Sequence, residues 1–174
     1  MHAWWVEPDR LLAGEYPGSL SEDKAKEKVR LLMAAGINSF VDLTESDELR
    51  PYAPKLLIDA AEQAGRPVPS HHRFAIRDMS ILADEAGYDV IVAHIRSELD
   101  AGKGVYIHCW GGKGRTGTVV GCWLIDNYGL DYKGAIQRMR DLRAGTRKSV
   151  YAPIIPETEQ QHGVLRRRAA RTSA

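Results

Sequence analysis

The sequence of 174 residues has few cysteines, almost no excess charge and no long apolar run. Two cysteines are too few for a disulfide-stabilised scaffold or for a metal site with four thiolate ligands. A net charge of +1 argues against a strongly basic nucleic-acid-binding protein. No apolar segment approaches the ~18 residues of a membrane span, and no apolar core follows the charged start of the chain, so we expect no secretory signal. These absences favour a cytoplasmic protein whose cysteines, if they have a function, act as thiols.

What is present fits one globular domain with a sizeable core, since 44% of the residues are hydrophobic and 27% are charged. The charge is unevenly distributed along the chain. Residues 1–102 carry 11 basic and 18 acidic side chains, whereas residues 103–148 carry 9 basic and 3 acidic ones. The basic segment is either a pair of solvated helix faces or a site for an anionic substrate.

Hydrophobic periodicity predicts alternating strands and helices. The predicted strands are Leu11–Leu12, 37–43, 72–76 and 104–108, and the predicted helices follow Ser21 and cover 51–64, 87–101, 115–127, 132–145 and a stretch beyond Pro156. This order predicts an α/β fold with a central, mostly parallel sheet flanked by helices. In such sheets ligands bind where strands lead into helices. We expect a single domain over residues 1–165, followed by a basic, frayed tail at 166–174.

The loop after the strand at 104–108 carries the strongest motif. From His108 to Thr116 the chain has His-Cys, five residues and Arg-Thr. A GxGxxG pattern at Gly112–Gly117 also fits a dinucleotide-binding turn, but Asp131, about twenty residues on, precedes a helix instead of ending a strand. A Walker A loop is excluded because no Gly-Lys pair is followed by Ser or Thr.

The physical chemistry of this loop fits phosphate binding by a cysteine enzyme. Backbone N–H groups that curl around one point, together with the start of the following helix, form an anion cradle. The cradle residues are Trp110, Gly111, Gly112, Lys113, Gly114 and Arg115. Arg115 offers a planar fork for two phosphate oxygens. Cys109 lies where the helix dipole and Arg115 favour a nucleophilic thiolate.

The His108-Cys109-x5-Arg115-Thr116 segment resembles the signature of the protein tyrosine and dual-specificity phosphatase superfamily. The stretch from Cys109 to Arg115, together with Ala135–Ile136 and Leu142–Arg143, is most similar to the cyclin-dependent-kinase-associated phosphatase branch and its bacterial relatives. The resemblance extends to the order of elements over residues 37–165. It implies a small phosphatase domain that needs no metal or cofactor.

The resemblance also implies a general acid on a loop about thirty residues before the cysteine. Asp78 lies 31 residues before Cys109 and follows a predicted strand, so we expect it to be the acid. Asp84 is the alternative, with Glu85 behind it. The sequence departs from the family here, because Ile-Arg-Asp replaces the usual Trp-Pro-Asp or proline-rich form of the loop.

Further roles follow from the resemblance alone. In the family, the hydroxyl at Thr116 hydrogen-bonds the cysteine sulfur and assists its departure, and His108 orients the loop without acting as a base. Lys113 is an added charge that some phosphoinositide phosphatases share. Those enzymes usually carry a second lysine where this chain has Trp110.

The segment after Pro156 resembles the family's late glutamine-bearing segment, in which a glutamine positions the hydrolytic water. Gln161 is the better match and Gln160 the alternative, while an exposed polar helix residue is the competing interpretation. We expect Asp42 to support the fold and Cys122 to lie in the core.

The resemblance implies a phosphomonoester hydrolase that acts on phosphorylated proteins or peptides through a cysteinyl-phosphate. Phosphate, sulfate or vanadate should occupy the same cradle, and we expect no membrane or nucleic-acid partner. A phosphoinositide phosphatase or RNA 5′-phosphatase of the same fold, and a non-catalytic phosphate-binding module, are the alternatives. The sequence does not determine the oligomeric state or the depth of the pocket, which separates phosphotyrosine-only from dual-specificity enzymes.

Overall fold

The computed structural model describes residues 1–172. Its strands are β1 (Ala3–Glu7), β2 (Leu11–Gly14), β3 (Ile37–Asp42), β4 (Ser70–Arg73) and β5 (Gly104–His108). Its helices are α1 (Glu22–Ala34), α2 (Lys55–Ala64), α3 (Ala86–Asp100), α4 (Gly114–Tyr128), α5 (Tyr132–Arg143), α6 (Arg147–Tyr151) and α7 (Glu159–Thr172). The predicted α/β class is confirmed. Two short elements, β1 and α6, were not predicted, and β4 begins two residues before the predicted strand at 72–76.

One five-stranded sheet has the order β1-β2-β5-β3-β4. β1 runs antiparallel to β2, and the other three neighbouring pairs are parallel. β5 is central and all five of its residues are buried, as expected for a strand covered on both faces. The chain therefore leaves the middle of the sheet at the carboxyl end of β5 and enters α4 through the loop that carries the cysteine motif.

Helices cover both faces of the sheet. α1 and α2 pack on one face around Val29, Phe40 and Leu57. The other face holds the larger core, to which α3, α4, α5 and α7 contribute. α4 is buried along most of its length, from Gly114 to Ile125, which agrees with its nearly continuous apolar sequence. A central helix of this kind fixes the position of the loop that precedes it.

The prediction of a frayed tail from residue 166 onward is wrong for residues 166–172, which the structure describes. α7 continues to Thr172, and Arg168 and Ala169 are buried in it. Arg168 donates from Nε to Oδ1 of Asp126 on α4 at 2.8 Å. Burial of Arg168 and Ala169 and this ion pair therefore hold the end of α7 on the central helix, and only the last two residues of the predicted tail lie outside the described residues.

No helix within residues 1–172 has both the length and the apolar character that crossing a membrane requires.

Candidate active site

The phosphate-loop segment, residues 109–113, turns sharply between β5 and α4. Gly112 has a φ of 69°, and a Cβ atom there would lie 2.5 Å from the backbone carbonyl carbon of Gly14 on β2. Only glycine fits both conditions. α4 then begins at Gly114, so its amino end, which carries the positive end of the helix dipole, follows directly.

Two contacts from outside fix the direction of the loop carbonyls. The Tyr16 amide donates to the Trp110 carbonyl at 2.9 Å, and Lys148 Nζ donates to the Gly111 carbonyl at 2.8 Å. Among residues 1–172, the amides of residues 110–113 have no hydrogen-bond acceptor. A loop with its carbonyls engaged and its N–H groups free has the form that an anion-binding cradle requires.

Cys109 lies at the base of a cavity of about 320 Å³, called here the Cys109 cavity. Its side chain is 3% exposed and unpaired with any other cysteine. The lining residues are Asp78, Met79, Cys109, Trp110, Gly111, Lys113, Gly114, Arg115, Lys148, Tyr151, Ala152 and Glu157. The second cysteine, Cys122, is buried in α4, and burial raises the pKa of its thiol to about 12. Cys122 is therefore an unreactive core residue, as predicted.

Arg115 is 1% exposed, and its guanidinium is held by a carboxylate that the sequence analysis did not identify. Nη1 and Nη2 each donate to one oxygen of Glu48 at 2.6 Å, in a bidentate pair. Nη1 also donates to the Ile76 carbonyl at 2.9 Å. Burial alone would favour the protonated acid, but the hydrogen bonds from Arg115 lower the pKa of Glu48. The Nε–H of Arg115 is buried and has no acceptor in residues 1–172, so one donor of the fork is unused.

Asp78, the predicted general acid, contacts the same guanidinium. Its Oδ1 accepts from Nη2 of Arg115 at 2.8 Å, and the side chain is 45% exposed at the cavity wall. The alternatives are engaged elsewhere. Asp84 accepts from the Ala86 amide at 2.9 Å beside the start of α3, and Glu85 pairs with an arginine of α7. Neither alternative lines the Cys109 cavity.

His108 is fully buried behind the loop. Its Nδ1 lies 3.2 Å from the Cys109 carbonyl, and its Nε2 lies 2.8 Å from the Tyr52 hydroxyl. Burial lowers the pKa of His108 to about 4, so the ring is neutral at pH 7. A proton on Nδ1 lets the ring donate to the carbonyl while Nε2 accepts from Tyr52. This arrangement suits a residue that orients the loop.

Asp42 supports this region from the end of β3, as expected. It is fully buried and its Oδ1 accepts from the Thr44 amide at 2.9 Å and from the Thr44 hydroxyl at 2.6 Å. Its other oxygen pairs with His71 and Arg73 on β4. The carboxylate thus joins the ends of two neighbouring strands beside the site and does not line the Cys109 cavity.

Thr116 and Gln161 differ from the expectation. The Thr116 hydroxyl is buried and makes no hydrogen bond within residues 1–172, so the expected bond to the cysteine sulfur is not formed. Gln161 is fully buried, whereas Gln160 is exposed. The Gln161 carboxamide accepts from the amides of Glu157 and Thr158 at 3.0 Å.

The same carboxamide reaches the loop that carries Asp78. Its Nε2 donates to the Ser80 carbonyl at 3.1 Å, and both amide atoms lie 3.0 Å from where a Cβ of Gly114 would stand. Gln161 therefore ties α7 to the acid loop, residues 74–85, against the start of α4. It does not line the Cys109 cavity.

Two cradle side chains face the outer part of the site. Lys113 pairs with Glu157 at 2.9 Å, so its charge is already partnered. Trp110 is 58% exposed at the cavity mouth, with Met79 and Tyr151 also exposed on its lining. The cavity lining thus combines basic side chains that are paired with carboxylates and exposed apolar and aromatic side chains.

Comparisons with known proteins agree with this geometry. Residues 2–162 match a family model described as "PTP-SAK: Swiss Army Knife protein, DSP-PTPase phosphatase domain". Among curated proteins, the chain is 28% identical over 141 residues to phosphatidylglycerophosphate phosphatase PTPMT2 of Arabidopsis thaliana, covering 80% of this chain and 55% of that protein. It is 29% identical over 119 residues to putative tyrosine phosphatase 067L of Invertebrate iridescent virus 3, covering 67% of this chain and 42% of that protein. The chain spans about half the length of these two relatives.

The solved structures show the same fold. The active form of Tk-PTP matches with a TM-score of 0.74 and 25% identity, over 97% of each chain. Kinase associated phosphatase matches with a TM-score of 0.71 and 24% identity, over 100% of this chain and 97% of that one. PTPMT1 in complex with PI(5)P matches with a TM-score of 0.72 and 18% identity, over 99% of this chain and 97% of that one. With the family match over residues 2–162, these findings establish that the chain belongs to the dual-specificity and protein tyrosine phosphatase family.

Proposed function

We propose that this protein hydrolyses phosphomonoesters by nucleophilic catalysis through a cysteinyl-phosphate. The observation that carries the proposal is the juxtaposition at the cavity floor. Cys109 and Arg115 line one cavity together with Trp110, Gly111 and Lys113, the loop amides have no acceptor, and the Nε–H of Arg115 is unused. A phosphoryl group is a compact dianion with several acceptor oxygens, and it satisfies these donors together.

Substrate binding requires an exchange of partners on Arg115. In the structure, Nη2 donates to Asp78. A bound phosphoryl group accepts from Nε and Nη2, while Glu48 and the Ile76 carbonyl keep the opposite side of the guanidinium in place. Asp78 is thereby released toward the cavity mouth, where the leaving oxygen of the ester lies.

The reaction then proceeds in two steps. The Cys109 thiolate attacks phosphorus, an S–P bond forms, and the P–O bond to the leaving group breaks as Asp78 donates its proton to that oxygen. In the second step Asp78 accepts a proton from water, the water oxygen attacks phosphorus, and the S–P bond breaks. Inorganic phosphate is released and the Cys109 thiolate is regenerated. The amides of the loop and Arg115 stabilise the equatorial oxygens in both transition states.

We assign Gln161 the role of positioning the acid loop instead of the water. Its bond to the Ser80 carbonyl lies two residues from Asp78, and both of its amide atoms are engaged. Thr116, whose hydroxyl has no partner, remains free to donate to the sulfur as Cys109 leaves in the second step. His108 positions the loop.

A phosphorylated protein or peptide is the substrate class we propose, with phosphotyrosine the preferred residue. The support is the rim of the cavity, where exposed Trp110, Met79 and Tyr151 offer apolar contact to an aryl group. Two unpaired cysteines, one of them the nucleophile, fit a reducing compartment such as the cytoplasm.

A lipid phosphate is the second candidate. It is favoured by the similarity to a protein named phosphatidylglycerophosphate phosphatase, and the same apolar rim could contact a lipid instead of an aryl group. Vesicles that contain phosphatidylglycerophosphate or a phosphoinositide, tested beside phosphotyrosine and phosphoserine peptides and an RNA 5′-triphosphate, distinguish the candidates by kcat/KM.

The test of the proposed chemistry is hydrolysis of an aryl phosphate in the presence of EDTA. Wild type should turn over, and Cys109→Ser should not. Cys122→Ala is the matched control, because it removes the other cysteine, which lies outside the Cys109 cavity, and it should retain activity. A folded wild-type protein that binds phosphate without any turnover would support the non-catalytic alternative.

A further inference from the structure

A second group of potential ligands lies away from the Cys109 cavity, between the edge strand β4 and α3. It consists of His72 on β4 and His94 and Glu98 on α3, and one ligand atom from each lies within 4.8 Å of the others. The imidazole rings of His72 and His94 have centroids 4.3 Å apart. His94 and Glu98 are four residues apart, so they stand on one face of the helix.

His94 on α3 has a ring nitrogen that is available to bind a metal ion. Nε2 of His94 is buried and has no hydrogen-bond partner in residues 1–172. Burial, followed by the nearby His72, lowers the pKa of His94, so the ring is neutral and a nitrogen lone pair is available. A buried polar atom without a partner costs free energy, which a bound cation would recover.

Glu98 is ionised and held in orientation. Burial alone would raise its pKa, but hydrogen bonds, that from Lys103 foremost, lower the pKa to about 2. Lys103 Nζ and the Ser70 hydroxyl donate to Oε2 at 2.8 and 2.9 Å. A carboxylate has about four lone-pair sites, so these two contacts and a hydrogen bond from the Ser39 side chain leave acceptor capacity for a cation.

We propose that His72, His94 and Glu98 form a binding site for Zn²⁺ or a similar borderline divalent cation. Two imidazoles and one carboxylate are a donor set that zinc uses, at N–Zn distances of about 2.0–2.1 Å. Ligand atoms within 4.8 Å of one another reach this geometry by small side-chain rotations. A water molecule completes the tetrahedron. Mg²⁺ and Ca²⁺ are disfavoured because both prefer oxygen ligands.

The placement gives this site a structural consequence. His72 lies two residues before the acid loop begins. His94 lies on α3, which begins at Ala86, directly after the loop. A cation held by both histidines links the two anchors of the loop that carries Asp78. None of the three ligands lines the Cys109 cavity, so the site is separate from the proposed phosphatase chemistry.

The experiment uses the full chain with Cys109→Ser, because a reactive thiolate is itself a zinc ligand. Isothermal titration with ZnCl₂ after EDTA treatment and dialysis should show one ion per chain. Thermal unfolding should shift upward by about 5–10 °C when free zinc is 100-fold above Kd. His72→Gln and His94→Gln should each weaken binding at least tenfold and reduce the shift at the same zinc concentration to about half or less.

His162→Gln is the matched control, since His162 lies on α7 and its Nδ1 is 3.1 Å from the Tyr132 hydroxyl. This variant should bind zinc as the parent does. His72→Gln changes the less buried member on an edge strand, so it remains informative if His94→Gln unfolds. The proposal is overturned if no saturable binding occurs, if His72→Gln binds zinc with the affinity of the parent, or if the affinity falls equally in the His162→Gln control.

Discussion

The bidentate pair between Glu48 and Arg115 gives the most quantitative prediction for the site. Both N–O distances are 2.6 Å, Arg115 is 1% exposed and the Glu48 side chain 14% exposed. Unit charges about 4 Å apart attract by about 4 kcal/mol at an effective dielectric constant of about 20. Removing one member of a buried pair costs about 3–5 kcal/mol. We expect Glu48→Ala to lose about 3 kcal/mol of unfolding free energy, near the lower limit because Asp78 still faces the guanidinium.

The effect on catalysis is separate from the effect on stability. Without Glu48, the guanidinium retains only the Ile76 carbonyl and Asp78, and Asp78 competes with the phosphoryl group. A displacement of the fork by about 1 Å lowers turnover on the order of 100-fold. We expect Glu48→Gln, which keeps the shape of the side chain, to lower kcat/KM for an aryl phosphate by about 10–100-fold.

The assays are urea unfolding and steady-state kinetics, made on folded protein well below the unfolding transition. Asp47→Asn is the matched control, because it removes a neighbouring but exposed carboxylate. It should leave kcat/KM and stability unchanged. Unaltered kcat/KM in Glu48→Gln would refute the reasoning, because it would show that Glu48 does not position Arg115 for the phosphoryl group.

Three further predictions follow from contacts within the site. Asp78→Asn should lower kcat by about 10²–10⁴-fold. It should also bind inorganic phosphate more tightly, measured by calorimetry, because a neutral amide competes less with phosphate for Arg115. Equal or weaker phosphate binding would contradict the proposed exchange of partners on Arg115. Gln161→Ala should lower kcat by about tenfold with no change in phosphate affinity, because it removes the hydrogen bond to the Ser80 carbonyl of the acid loop. Weakened phosphate affinity with unchanged kcat would contradict the role of Gln161 in positioning the acid loop. The pKa of His108 is lowered to about 4, so the folded state resists protonation of this ring. The stability from its neutral form is complete above pH 6.5, and about 3 kcal/mol of unfolding free energy is lost as the pH falls to 4 and below. Urea unfolding at pH 7 and 4.5 should show a smaller loss of stability in His108→Gln than in wild type, and an equal loss would refute the lowered pKa of His108.

The sequence motif singles out the loop of residues 109–113 because its characteristic residues are close together in the chain. His108, Cys109 and Arg115 lie within eight residues, and the strand and helix on either side have clear hydrophobic patterns. Asp78 was predicted from the family resemblance, because its spacing from the cysteine matches that of the family's general acid, and this role stays a prediction. The contact of Asp78 with the Arg115 fork is an outcome that only the structure shows.

Glu48 could not be assigned from the sequence, since it lies 67 residues before Arg115 in a turn with other acidic side chains. The available signal was the position of this acidic turn after β3, which neighbours β5 in the parallel sheet. The tail was misjudged for a different reason. Its arginines suggested solvation, whereas the spacing of Val164, Leu165, Arg168 and Ala169 places one face of α7 on the core.

The short elements β1 and α6 also escaped the sequence analysis. α6 has only five residues, which is too few for a helical period to emerge. In β1 the apolar residues Trp4, Trp5 and Val6 are consecutive, so its sequence lacks the apolar/polar alternation of a half-buried strand. β1 depends on pairing with β2, and α6 depends on contacts such as that of Lys148 with the phosphate loop. Tertiary contacts of this kind are not encoded in local propensity.

The most direct test of the central claim is detection of a phosphoryl group on Cys109 itself. Wild type and Asp78→Asn are mixed with an aryl phosphate, quenched rapidly in acid and analysed by peptide mass spectrometry. We predict that the peptide containing Cys109 gains the mass of one phosphoryl group, and that the peptide containing Cys122 does not. Turnover with no phosphoryl adduct on Cys109 at any quench time in either protein would contradict the account.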